Sequence, residues 1–362
     1  MESINTLVNS TISSFIREIA DKYNIDPKKI QSVYNDLNHP NRKISPGKIR
    51  LGLCCINTVL RAQKPPVFCS RGLIKRTWTL EKAQQLALQN IADIGKMVEW
   101  NKENGISLLR LSSDIFPRFT AQDIQDQNFT ISFAIPLLKK IGEKIKGHRI
   151  VMHPGQYNQV GTPRKEVLES TVMDLSHHAD ILDALGVGKE GVIIIHGGGT
   201  FGDKEKTIER WISQFQTLPE KVKRRLALEN CERGYSVKDC LKICESVGIP
   251  MIFDCHHYSC YNIIHGNNPN VLGDFISEQE LFHDLFPRII ATWKGITPIM
   301  HISEQGNGRI GKHSDYIQEI PWYLLQAPEK YGIHIDLEVE AKMKEQAIFK
   351  LYEKYGKGFF RV

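Results

Sequence analysis

A closed barrel of eight parallel βα units, the (β/α)8 or TIM barrel of the α/β class, is the fold this sequence predicts. Three observations predict it. Eight apolar runs of strand length recur along the chain, segments with apolar residues at helical spacing lie between them, and the residues that end the runs are polar, acidic or imidazole-bearing.

The runs are Arg50 to Ile56, Ile106 to Leu111, Arg149 to Met152, Gly191 to Ile195, Arg225 to Leu228, Pro250 to Phe253, Pro298 to Met300 and Ile333 to Val339. Short, nearly continuous apolar runs suit strands buried on both faces, as parallel strands are. The last run alternates instead, with Ile333, Ile335, Leu337 and Val339 on one face and His334, Asp336, Glu338 and Glu340 on the other. Helices are expected at Leu80 to Asn104, Ile131 to Lys146, Val167 to Leu185, Val237 to Val247 and Ser277 to Thr292. Residues 1–48 differ: polar, helix-compatible stretches run into the turn-rich Asn38-His-Pro-Asn-Arg-Lys43, which predicts an N-terminal helical extension ahead of a barrel domain at 49–362.

The 362 residues, 41% apolar and 24% charged, are those of a globular chain able to bury a large core. A net charge of +6 suits a polyanionic partner without identifying one. No apolar run approaches the roughly 20 residues that span a bilayer, and Met1-Glu-Ser-Ile-Asn5 lacks the layout of a secretory signal. The expectation is an intracellular protein of cytoplasm or nucleus, with no membrane and no obligate protein partner. The eight cysteines contain no Cys-x-x-Cys pair and several lie beside apolar runs, which predicts buried free thiols.

In such a barrel the active site lies at the C-terminal ends of the strands. Read in order, those ends are Asn57, Ser112-Ser-Asp114, His153, His196, Glu229, Asp254, His301 and Glu340. One imidazole at a strand end is ordinarily a hydrogen-bonded core or capping residue. Five consecutive strands ending in His, His, Glu, Asp and His crowd one mouth with groups that divalent cations neutralise, so a metal site is expected. His257, three residues after Asp254, and His313, in the loop after His301, add imidazoles for a further ion. Asp254 by itself also reads as a helix N-cap. His196-Gly-Gly-Gly199 resembles a hydrolase oxyanion loop, but no Gly-x-Ser-x-Gly elbow accompanies it, and the glycines are expected to let backbone approach a ligand. Arg71, Lys75 and Arg76 after the first run and Arg309 and Lys312 after the seventh bring cations to the same face, where they suit phosphates. His153-Pro-Gly-Gln-Tyr157 offers an amide and an aromatic ring able to enter a duplex.

Together these stretches resemble the UV damage endonucleases, a family similar in fold and metal site to endonuclease IV-type apurinic-site nucleases. The resemblance is carried by Arg50-Leu-Gly-Leu-Cys-Cys-Ile-Asn57, Leu109-Arg-Leu-Ser-Ser-Asp114, His153-Pro-Gly-Gln-Tyr157, Ile195-His-Gly-Gly-Gly199, Leu228-Glu-Asn230, Phe253-Asp-Cys-His-His257, Met300-His-Ile-Ser-Glu304, Lys312-His-Ser-Asp315 and Val339-Glu-Ala-Lys-Met-Lys-Glu345. It implies a first ion on His153, His196 and Glu229, a second bridged by Glu229 to Asp254, His301 and Glu340, and a third on His257 and His313. It implies two or three divalent ions per chain, with manganese favoured over zinc, magnesium or cobalt. It also implies damaged double-stranded DNA as partner, nicked 5′ of UV photoproducts to leave 3′-hydroxyl and 5′-phosphate ends. Gln156 and Tyr157 match the wedge that probes the lesion, and Asn57 a polar residue near the damaged bases. Catalysis would fall to Glu229, Asp254, His301 and Glu340.

Three departures from the pattern stand out. Leu53 replaces a common Tyr, which is expected to weaken stacking on the lesion. Thr120 or Ala121 stands where a ligand His is expected after Pro117, leaving the first ion fewer protein ligands. Ile299 stands where a Lys is expected, so that role is absent or passes to Lys294 or Lys342. The alternatives are an apurinic-site nuclease with little photoproduct activity, a sugar isomerase or epimerase on the same barrel, and a DNA-binding protein without catalysis.

Overall fold

In the computed structural model the described residues are 26, 46–121, 129–266 and 275–361. The chain divides into two units, Met1–Ile44 and Ser45–Val362. The helices expected before residue 48 lie outside the described residues.

The second unit is a closed barrel with strand order β1 to β8, every neighbouring pair parallel. The strands are β1 (Ile49–Cys54), β2 (Leu108–Leu111), β3 (Arg149–Met152), β4 (Ile193–His196), β5 (Leu226–Glu229), β6 (Met251–Asp254), β7 (Ile299–Ile302) and β8 (Ile335–Val339). All eight expected runs are strands. In β4 to β7 the pairing continues through His196, Glu229, Asp254 and His301, so these residues sit on rigid ladder positions instead of loops. Among the described residues no helix is long and apolar enough to cross a membrane.

Helix ends follow local chemistry. Helix α1 (Leu80–Asn104) starts at Thr79, whose hydroxyl accepts from Lys82 N, and stops at Gly105 with φ 78°. Helix α2 (Val237–Val247) carries a capping box between Ser236 and Asp239 and stops at Gly248. The single helix expected over Ser277 to Thr292 is broken into Glu278–Glu280, a π-helical turn at Leu281–Leu285 and Phe286–Thr292. Pro287 has no N–H to donate and its ring would clash with the carbonyl four residues back, which the wider turn relieves. The helix Cys255–His265 starts at the very end of β6, a place the apolar periodicity does not mark.

Alternation along the strands sorts the barrel into layers. Leu108, Val151, Val192, Ile194, Ala227, Ile252 and Ile299 pack with Trp293 as one apolar cluster. On β1 the inward positions are Arg50, Gly52 and Cys54: Arg50 reaches Asp336, a Cβ at Gly52 would lie 2.7 Å from Leu108 Cδ2, and Cys54 lies against Glu338. Leu53 therefore belongs to the outer core with Leu51 and is fully buried. The weakened stacking expected from Leu53 is accordingly corrected: this side chain packs into the core and offers no face to DNA.

Beneath the apolar layer lies a buried ion cluster. Arg50 holds Asp336 bidentately at 2.6 Å and 2.6 Å, and Arg149 reaches the same carboxylate at 2.6 Å. Arg149 also donates to Thr297 O and Glu190 O, closing the floor of the barrel. Asp336→Ala is expected to cost about 3–5 kcal/mol, because it strands buried guanidinium charge. Urea unfolding monitored by circular dichroism would read it, and a loss under about 1 kcal/mol would mean the arginines find other partners.

Candidate metal centre

Glu229 ends β5 almost wholly buried, with imidazoles on both sides of its carboxylate. Oε2 lies 2.9 Å from His153 Nε2 and 3.7 Å from His196 Nε2. Oε1 lies 3.0 Å from His301 Nδ1 and 3.1 Å from His257 Nδ1. Burial alone would raise this carboxyl; His301, His196, His153 and His257 outweigh it and hold it well below the usual carboxylate range.

Asp254 does both things its sequence position allows. Its Oδ1 accepts from His257 N at 2.6 Å and caps the helix that follows, while Oδ2 is buried without a hydrogen-bond partner. That oxygen lies 3.8 Å from His301 Nδ1 and 3.8 Å from His257 Nδ1. Asn230 locks the strand end in place: its amide donates to Asp254 O and accepts from Asp254 N, and its own carbonyl faces His257 Nδ1 at 3.0 Å. His153 Nδ1 is similarly 3.1 Å from Pro154 O, which leaves Nε2 free to face Glu229 as a ligand nitrogen.

Glu340 follows β8, with Oε1 3.6 Å from His301 Nδ1 and Oε2 3.8 Å from His313 Nε2. The His313 ring lies at the rim, 6.4 Å from that of His257 and 5.5 Å from that of His256. All eight expected ligands thus gather at the C-terminal mouth. Ligand atoms converge as His153, His196 and Glu229; as Glu229, Asp254 and His257; and as Asp254, His301 and Glu340. These donors fit divalent ions: borderline imidazoles and hard carboxylates, with Asp254 Oδ2 and the buried, unpartnered His196 Nδ1 both short of partners. A fourth convergence, Cys54 with Glu338 and Glu340, is already neutralised by the Arg110 guanidinium, whose Nη1 contacts both carboxylates. Burial also pushes the Cys54 thiol well up, away from thiolate.

Burial works against charge on His301 and His257, but Glu229, Glu338 and Glu340 around the first, and Asp254, Glu229 and Glu340 around the second, hold both well above the usual imidazole range. His196 goes the other way, lowered by burial to about 4, so it is neutral. Burial raises Asp254, with Glu229 and Glu340 adding and His257 opposing.

The wedge pair is exposed, Tyr157 at 58%. A Cβ on Gly155 would come within 2.5 Å of the Tyr157 ring, so only glycine lets the ring lie there. The phenol reaches Asp174 at 3.3 Å, beside a cavity of about 470 Å³ walled by Phe116, Phe119, Tyr157 and His177. Arg76, Arg309 and Lys312 are exposed.

Several expectations are corrected by the contacts. Arg71 is spent on structure, pairing with Asp93 at 2.7 Å, donating to Pro66 O and lying over the Phe68 ring. Asn57 is fully buried, its Oδ1 capping the short helix Thr58–Arg61 through Leu60 N, so its amide is not offered to bases. Gly197 lies against the Tyr235 ring, 2.5 Å from where a Cβ would lie. Ile299 fills the apolar layer; Lys294 bonds Gly248 O, at the turn that leads into β6 on the opposite face, and Lys342 faces Asp315. Thr120 and Ala121 line the cavity beside Phe119 and His177, outside the imidazole cluster. Sequence reading also missed Arg110 and Glu338, which lie between β2, β7 and β8 and carry no local signal, and Glu345, which is buried and caps the same short helix through Thr58 N and Val59 N.

A family model described as UV-endonuclease UvdE matches residues 49–358. A putative UV-damage endonuclease of Acanthamoeba polyphaga mimivirus is 38% identical over 317 residues, covering 85% of this chain and 91% of the viral protein. The UV-damage endonuclease of Schizosaccharomyces pombe is 37% identical over 351 residues, and this chain spans about half of it: the match covers 92% of this chain and 54% of the yeast protein. Among solved structures, SacUVDE matches with a TM-score of 0.68 at 29% identity, covering 85% of this chain and 99% of that one.

A raised imidazole contributes stability that is full below about pH 6.5 and lost as pH rises through the folded-state value. An ion entering the cluster must displace those same protons from His301 and His257. Divalent-ion affinity is therefore expected to rise between about pH 6 and pH 8 with net proton release. Calorimetric titration in two buffers of different ionisation heat measures both, and an affinity flat with pH would contradict the assignment.

Proposed function

The chain belongs to the UV-endonuclease UvdE family, and from that membership we propose that it is a metal-dependent phosphodiesterase nicking duplex DNA immediately 5′ of UV photoproducts. The products are 3′-hydroxyl and 5′-phosphate ends. The observation that carries the reading is the Glu229 carboxylate, one oxygen turned to His153 and His196 and the other to His257 and His301. Such a carboxylate would offer one oxygen to each of two cations.

In this reading His153, His196 and Glu229 would hold one ion, Glu229, Asp254, His301 and Glu340 a second, and His257 with His313 a third, manganese being the favoured metal. When bound, the ions supply Lewis-acid polarisation of the scissile phosphate and a lowered pKa for attacking water. The protein's own part is positional. Asn230 fixes the Asp254 backbone, and Asp254 Oδ1 is held by its capping bond so that Oδ2 faces the mouth. Arg110 anchors Glu340 from below.

Gln156 and Tyr157 stand exposed beside this centre and act as the wedge that opens the duplex. A photoproduct is less well stacked than an intact pair, so insertion at a lesion costs less and selection runs through deformability. Arg76, Arg309 and Lys312 contribute contacts to backbone phosphates. Burial, with Asp174 adding, pushes the Tyr157 phenol up to about 12.

Glu229→Gln is expected to reduce nicking of a cyclobutane-dimer duplex in manganese buffer by at least about 10²–10³-fold, the scale of removing one preorganised electrostatic element. Normal nicking by this variant would refute the bridging role. Tyr157→Ala should weaken binding to the lesion duplex by about 1–3 kcal/mol, with less effect on undamaged duplex; equal losses on both would remove the wedge assignment. Arg309→Ala with Lys312→Ala should lower the slope of log affinity against log salt by about 2. An unchanged slope in fluorescence anisotropy would place those cations away from DNA.

A further inference from the structure

Glu338, two residues before Glu340, is on β8 and fully buried. Side chains two apart on a strand share a face, so Glu338 points into the barrel directly beneath the mouth. Register places it opposite His301 on β7. The His301 ring, itself fully buried, has its Nδ1 turned toward Glu229 Oε1 at 3.0 Å, Glu340 Oε1 at 3.6 Å and Asp254 Oδ2 at 3.8 Å. Its other nitrogen, Nε2, lies 3.1 Å from Glu338 Oε2, approached off the N–H axis.

A neutral imidazole carries one proton, and the nitrogen without it is the one that can bind a cation. Which nitrogen that is follows from the partner of the other. We propose that Glu338 is a positioning residue that keeps the proton of His301 on Nε2 and thereby presents the Nδ1 lone pair to the ion shared with Glu229, Asp254 and Glu340. The inference rests on the metal-centre reading above.

Glu338 is itself held. Arg110 Nη1 lies 3.3 Å from Glu338 Oε2 and also contacts Glu340 Oε1, so one guanidinium ties the positioning carboxylate and the ligand carboxylate together. Cys54 Sγ stands 3.8 Å from the same Oε2. Because the Arg110–Glu340 contact survives loss of Glu338, replacing Glu338 with leucine leaves no guanidinium stranded. The fold is expected to tolerate it.

The test uses the full chain, labelled with 15N-histidine, stripped of metal and titrated with zinc, which is diamagnetic. Ring spectra distinguish the two nitrogens, and His301→Gln assigns the His301 signals. The expected result is that zinc perturbs Nδ1 of His301 while Nε2 keeps its proton, and that Glu338→Leu loses this pattern and weakens zinc affinity at one site about 10–100-fold, the usual scale for an outer partner of a ligand histidine. Zinc bound through Nε2 of His301 would overturn the proposal while leaving the metal centre standing. So would a Glu338→Leu protein with unchanged tautomer and affinity. If zinc moves no histidine signal, the metal-centre reading falls and takes this one with it. Should Glu338→Leu not fold, the tautomer in the unaltered protein decides alone.

Discussion

A carboxylate buried among four imidazoles is the constraint on which the rest of the mouth depends. Glu229 cannot be neutralised by water at almost no exposure, so everything around it must supply positive charge or donors. The ends of β3, β4 and β7 and the first turn of the helix after β6 do this, bringing His153, His196, His301 and His257 to within 3.7 Å of one oxygen or the other. Parallel strands in register make that convergence a property of the ladder, with His196 paired to Glu229 and Asp254 to His301. Protons on His301 and His257 hold the charge in check, and cations can take the place of those protons.

Below the mouth the barrel changes character twice. An apolar layer that includes Ile194, Ala227, Ile252 and Ile299 separates the metal-binding level from the Arg50, Arg149 and Asp336 cluster at the floor. The layer excludes water from both, which strengthens their electrostatics and prevents the two charged levels from sharing partners. Arg110 and Glu338 sit at the join, belonging to the interior by position and to the mouth by contact.

Much of this architecture was legible in the sequence. Eight apolar runs, six of them leading into a His, Glu or Asp, set strand number and candidate ligands because strand periodicity and strand ends are local features. The caps of α1 and α2 are equally local, since Thr79, Gly105, Ser236, Asp239 and Gly248 act within a turn of their own helices. The helix at Cys255–His265 was not, because it starts on a capping Asp254 that the ligand pattern also claims. Arg71 is read toward DNA from its position and Asn57 and Leu53 from the resemblance, while their partners, Asp93, Leu60 N and the outer core, lie where a linear reading does not look.

The sequence by itself determined that eight strands close on each other and which residue types crown them, because backbone pattern and side-chain period are written over a few consecutive residues. Tertiary structure decided which atoms face which. Only in the closed barrel does Arg110 meet Glu338, 228 residues away, or His301 lie between Glu229 and Glu338. Only there do the two oxygens of Glu229 divide the imidazoles into pairs. Contacts of that range depend on ring closure and on strand register, and neither leaves a trace in the spacing of the residues it joins.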